Sequence, residues 1–180
     1  MTTTAVAPDL RFPIGTFTAE ASYTDAQRAA FIQDIAELPA KLRSALAGLN
    51  DAQLDTPYRD GGWTVRQTVH HLADSHTNSY IRLRFAATED NPTIMPYNEA
   101  VWAELPDAKH APVELSLQIL EGLHQRWVTL LKSFKAEDWK RTLFHPERGK
   151  LDMSVLAGLY SWHSKHHVAH ITELRKRNSW

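Results

Sequence analysis

Apolar residues recur at three- and four-residue intervals through four long stretches of the chain, the pattern of helices that bury one face. The first stretch opens at Thr24-Asp25, an N-cap signal, and runs through Phe31, Ile32, Ile35, Leu38, Leu42, Ala45, Leu46 and Leu49. Pro39 falls inside it and is expected to kink or split the helix. Thr64-Val65-Arg66-Gln67 announces the second, as a capping box whose Thr hydroxyl and Gln side chain satisfy unpaired amides of the first turn; it can continue to about Thr88. The third takes Pro112 as its first residue and keeps the period from Leu115 through Ile119, Leu120, Leu123, Trp127, Leu130 and Leu131 to about Phe134. The fourth runs from Asp152 or Ser154 to Arg177, closing on Arg175, Lys176 and Arg177, whose charge suits a helix C-terminus.

The connections are irregular. Turn formers from Asn50 to Gly62 predict a reversal, and Asn91-Pro92 with Met95-Pro96 enforce a loop, after which Asn98 to Leu105 suits a short helical turn. Residues 135–150 read as an irregular connection with room for a short hairpin. Residues 1–23 have no sustained period and read as an extended arm. Four substantial helices with few strand signals predict an all-α four-helix bundle. A length of 180 residues suits one domain, with the arm (1–23) packing on a single bundle (24–180).

Charge narrows the partners. A formal net charge of −1 supplies no positive field for nucleic acid or an anionic membrane. No apolar run approaches the roughly 18 residues of a membrane span. Met1 to Pro8 lacks the basic start and apolar centre of a signal peptide, so the expected compartment is the cytoplasm. The cysteine count of 0 removes disulfides, thiolate ligands and a cysteine nucleophile together, leaving His, Asp or Glu to hold any metal. Of 10 histidines, seven lie within two windows, 70–76 and 163–170.

Helical phase sorts them. Residues four apart share a face, so the fourth helix offers His163 with His167 or His166 with His170, and spacing alone does not choose. The apolar stripe of Leu156, Leu159, Tyr160, Ile171 and Leu174 does: with His163 at 0°, its centre falls at about 20°, between His163 and His167, whereas His170 and His166 lie to one side. On the second helix, His76 sits inside the core stripe of Val65, Val69, Leu72, Tyr80 and Leu83 and reads as structural. His71 shares a polar strip with Thr68, Ser75, Asn78 and Arg82, suited to lining a pocket. Asp74 and Glu173 are near enough to act behind the ligands, but solvated carboxylates are the better account of each, so no general base is assigned.

The segment from Asp60 to His76, and that from Tyr160 to Leu174, closely resemble the DinB/YfiT superfamily. Phe12-Pro-Ile-Gly15, Gln53 to Asp60, and His124-Gln-Arg-Trp127 extend the YfiT-like match over nearly the whole chain. The resemblance implies a four-helix bundle, usually a homodimer, with a three-histidine site for zinc or nickel and a metal-dependent hydrolase activity; related members are thiol S-transferases. Carried over by position, the ligands are His71, His163 and His167. Many relatives follow the last ligand with Arg-Gly-Gln, where this chain has Val168-Ala169-His170, so contacts of that motif are not carried over.

Three neutral imidazoles leave a tetrahedral ion one open position, the catalytic rather than the structural arrangement. Water there can ionise near neutral pH, and a thiol can displace it. The first expectation is a hydrolase acting on a small molecule with one divalent ion per chain, zinc with nickel as the alternative. The second is transfer of an external low-molecular-weight thiol, a carboxylate of which Arg82 would neutralise. The third is a non-catalytic metal-binding protein.

Overall fold

The computed structural model describes residues 9–180; residues 1–8, which hold the start of the expected arm and the segment read for a signal peptide, lie outside the described residues. Helix α1 spans Asp25–Leu46 and opens with a capping box between Thr24 and Gln27. It passes Pro39 unbroken, so the expected split does not occur. Proline lacks the amide that would bond the carbonyl four residues back, at Ile35. His124 occupies that carbonyl through Nδ1, so the helix loses a rung and the carbonyl keeps a partner.

Within the expected turn after α1 lies one further helical turn, α2 (Asp51–Leu54), capped by Asn50 and Gln53. Gly62 packs closely on Arg59: a Cβ there would stand 2.7 Å from Cγ of Arg59 and 3.2 Å from its carbonyl oxygen. Helix α3 spans Val65–Thr88 with the Thr64/Gln67 capping box in place. Helix α4 (Glu99–Trp102) falls within the predicted turn, and a further short helix, α5 (Pro106–His110), follows it. Helix α6 spans Val113–Lys132, with Pro112 at its N-cap rather than its first turn. A 3-10 turn (Asp138–Lys140) and an antiparallel hairpin of β1 (Thr142–His145) and β2 (Gly149–Asp152) fill the connection read as irregular. Gly149 adopts φ +75° where the hairpin closes, a conformation open to glycine. The Asp152 carboxylate accepts the Val155 amide and so starts the last helix, α7 (Met153–Asn178).

The four long helices form the bundle. Helices α1 and α3 each pack on both α6 and α7, so α1 stands diagonal to α3 and α6 diagonal to α7. This arrangement makes α3 and α7, the histidine-bearing helices, neighbours. The first half of α3 is buried on every side, residues 65–73 without exception. Its Arg66 is covered by ion pairs to Asp51 at 3.0 Å and Asp55 at 2.7 Å.

The core divides into two apolar clusters. One gathers Ile35, Leu83, Trp127, Leu131, Leu143, Met153, Leu156 and Tyr160; the other gathers Leu38, Leu42, Val69, Leu72, Leu120 and Ile171. Along each of three helices a histidine marks the change from one cluster to the other: His76 on α3, His124 on α6 and His163 on α7. Residues 11–17 lie along α7, with Trp162 donating its indole N–H to the Gly15 carbonyl at 3.2 Å and the Phe17 ring beside Trp162.

Candidate metal centre

His71 projects from the second turn of α3, while His163 and His167 project from successive turns of α7. Their rings converge: Nε2 of His163 stands 3.3 Å from Nε2 of His71 and 3.2 Å from Nε2 of His167. Four ligands at about 2.0–2.1 Å from a tetrahedral ion separate neighbouring donors by about 3.3–3.4 Å, so the spacing fits one such ion. The donor set is chemically apt as well, since three imidazoles suit zinc and nickel. His71 is backed by the Trp63 ring, 4.6 Å away between centroids.

Burial sets the electrostatics. Desolvation, followed by the charges of His166 and His170, pushes His71 down to about 4. His163 and His167 are also held well below the usual histidine range, chiefly by desolvation and then by neighbouring histidines. At neutral pH each ring is therefore uncharged and offers a lone pair to a cation.

Behind the convergent trio, histidine meets histidine. Nδ1 of His163 contacts Nε2 of His76 at 3.1 Å, and Nδ1 of His76 contacts Nε2 of His124 at 3.0 Å. Nδ1 of His167 contacts Nδ1 of His170 at 3.3 Å, and Nε2 of His170 reaches the Arg11 carbonyl at 3.1 Å. The pair that the helical wheel sets to one side, His166 and His170, is interior too. Tyr58 stacks on His170 at 4.0 Å and Trp162 on His166 at 4.3 Å. His166, His167 and His170 also lie close enough together to form a second potential ligand group.

The convergent nitrogens floor a cavity of about 420 Å³. Ser75 and Arg82 line it, whereas Asn78 turns back to the Asp74 carbonyl on its own helix. Among the groups that sequence reasoning missed are Tyr97, His145 and Arg148 at the cavity wall, with Glu99 and Glu147. Residues 135–150, which carried no helical period and hence no phase to read, therefore supply part of the wall through the hairpin. His145 accepts the Glu147 amide on Nδ1 at 3.2 Å, and burial together with Arg82 and Arg148 holds its pKa down. Phe12, Phe17, Trp63 and Trp162 supply aromatic walls.

The two carboxylates weighed from sequence stand apart. Glu173 pairs with Lys176 at 2.6 Å on the surface. Asp74 is pushed up to about 6 by burial and the Asp107 charge, and its carboxylate bonds none of the three histidines.

Helices crossing to bring three imidazoles to the floor of one cavity define a bundle protein with a candidate metal centre at its core. The model of the DinB superfamily matches residues 34–171, and the chain belongs to that superfamily. YfiT from Bacillus subtilis, described as a probable metal-dependent hydrolase with an unusual four-helix bundle topology, superposes with a TM-score of 0.93 at 49% identity, covering 95% of this chain and 98% of that one. A Bacillus cereus relative provisionally named a metal-dependent hydrolase is 56% identical over 172 residues, 96% of this chain and 99% of its own. A Bacillus anthracis relative with the same name is 55% identical over 172 residues, with the same coverage.

Proposed function

We propose that this chain is a metal-dependent hydrolase in which His71, His163 and His167 hold one divalent ion. The observation that carries the proposal is the spacing of the Nε2 atoms, 3.3 Å from His163 to His71 and 3.2 Å from His163 to His167, at the floor of a half-open cavity. The provisional names of the Bacillus relatives, at 55–56% identity over nearly full length, support the reaction class. Zinc is the first expectation and nickel the second, because imidazole serves both.

An ion held there supplies Lewis acidity toward a substrate oxygen and acidifies bound water. The chain's own residues do the rest. Arg82 is anchored on the Met95 carbonyl at 2.7 Å and, with Arg148, offers positive charge to an acidic part of a small molecule. Phe17, Trp63, Leu156 and Leu159 exclude water around the reacting groups. The arm belongs to the same functional unit as the bundle, since Phe12, Thr16 and Phe17 line the cavity.

The decisive experiment combines elemental analysis with a screen of ester and amide substrates, run with and without added low-molecular-weight thiols. Hydrolysis that needs no thiol and disappears with His71→Ala supports the assignment. Turnover only with a thiol moves the chain to the S-transferase class, and tightly held metal without turnover makes it a binding protein. No helix among the described residues is long and apolar enough to cross a membrane. We place the activity in the cytoplasm, which cell fractionation tests. The unit is proposed to be a homodimer, supported by Ile81 and Phe85, one turn apart on α3 and 46% and 47% exposed; sedimentation equilibrium at 20.5 kDa would remove it.

A further inference from the structure

Five buried or half-buried histidines form two chains, and each chain ends on a backbone carbonyl. The first runs His163–His76–His124–Ile35 and the second His167–His170–Arg11. A carbonyl oxygen only accepts, and a neutral imidazole has one N–H and one lone pair. The carbonyl at the end therefore dictates the tautomer of every ring before it.

The first chain resolves as follows. Ile35 accepts from Nδ1–H of His124, leaving its Nε2 as acceptor. That atom takes Nδ1–H of His76, whose Nε2 is left to take Nδ1–H of His163. The Nε2 lone pair of His163 is thereby turned toward His71 and His167. In the second chain His170 donates Nε2–H to Arg11 and accepts Nδ1–H of His167 on its own Nδ1. His167 too is left with its lone pair on Nε2.

We infer that His76 with His124, and separately His170, are positioning residues that fix the ligand tautomers of His163 and His167 from two backbone carbonyls. Pro39 belongs to the device. The Ile35 carbonyl is open to His124 because residue 39 has no amide to bond it. His170 occupies the Nδ1 face of His167, so the inference also takes His166, His167 and His170 out of contention as a second ion site. Outer partners of this kind orient the ring and raise its basicity, and their loss commonly costs roughly 10- to 100-fold in metal affinity.

The inference rests on the proposed metal ligands, and its test has an arm that needs no metal. In metal-free protein labelled with 15N at histidine, long-range imidazole correlations at neutral pH should show His76, His124, His163 and His167 protonated at Nδ1, and His170 at Nε2. Protonation of His76 at Nε2, or of His163 or His167 at Nε2 alone, would overturn the relay that contains that ring. The second arm measures zinc affinity by chelator competition. His170→Leu should weaken binding roughly 10- to 100-fold, whereas His170→Gln, whose amide both accepts and donates, should stay within about threefold of the parent. Equal loss in both variants, no loss in either, or two zinc ions per chain would overturn the role of His170. The assigned tautomers in a protein that binds neither zinc nor nickel would refute the metal proposal and leave the relays standing.

Discussion

Nε2 of His71 and Nε2 of His163 lie 3.3 Å apart across the contact of α3 with α7. Two neutral rings cannot both direct lone pairs across that gap without a proton or a cation between them. The expected occupant is a divalent ion, and protein purified without chelators should carry about one per chain by plasma mass spectrometry. His163→Ala and His167→Ala should each abolish binding, while His166→Ala retains it. Loss with His166→Ala and retention with His163→Ala would assign the ion to the second group of histidines.

Acid should destabilise the metal-free protein from about pH 6.5 downward. His71, His124, His166 and His170 are pushed down to about 4, mainly by burial, from the ordinary histidine value of 6.5. Between those values the unfolded chain binds protons that the folded chain does not. The folded state is therefore most favoured above pH 6.5 and loses stability as pH falls toward 4. Asp74, raised to about 6, acts in the opposite direction and offsets part of one ring. Urea titrations from pH 8 to pH 4 should show the decline starting near 6.5; a flat profile to pH 4.5 would contradict it.

Gly62→Ala should be costly although the residue is not in a left-handed conformation. Its Cβ would meet Cγ and the carbonyl of Arg59 and, at 3.2 Å, the Tyr58 ring. That ring stacks on His170, so the strain reaches the histidines. Expected are a loss of about 1–3 kcal/mol in urea unfolding and weaker zinc binding. Unchanged stability would show that the loop yields freely.

Arg82→Gln should separate substrate recognition from metal holding. The guanidinium lines the cavity but is not a candidate ligand. Once a substrate is found, KM for its anionic form should rise about tenfold relative to a neutral analogue, the worth of a charged hydrogen bond, with metal content unchanged. An equal rise for both analogues would remove Arg82 from charge recognition.

Local signals were legible wherever backbone chemistry is decided within a few residues. Thr64 with Gln67 announced α3, and Asp152 started α7, because capping is settled inside one turn. Pro39 shows the limit: its missing amide was readable, but the donor that takes the freed carbonyl comes from His124, on a helix 89 residues away in sequence separation. His76 read as structural from its place in the apolar stripe, and its burial is complete, yet its two nitrogens link His163 to His124. A helical wheel reports which way a side chain points and not what it meets.

Periodicity and capping were sufficient for four helices, and helical phase with the family resemblance for the choice of His71, His163 and His167 as candidates. Both follow from the 3.6-residue repeat, which acts within one helix. Tertiary packing alone set α3 beside α7 and α1 diagonal to α3, because that order depends on how four apolar faces share one core. Packing alone also brought the hairpin to the cavity wall through His145 and Arg148, and set the Ile35 and Arg11 carbonyls at the ends of the histidine chains. Those contacts join groups far apart along the chain, and no local rule specifies them.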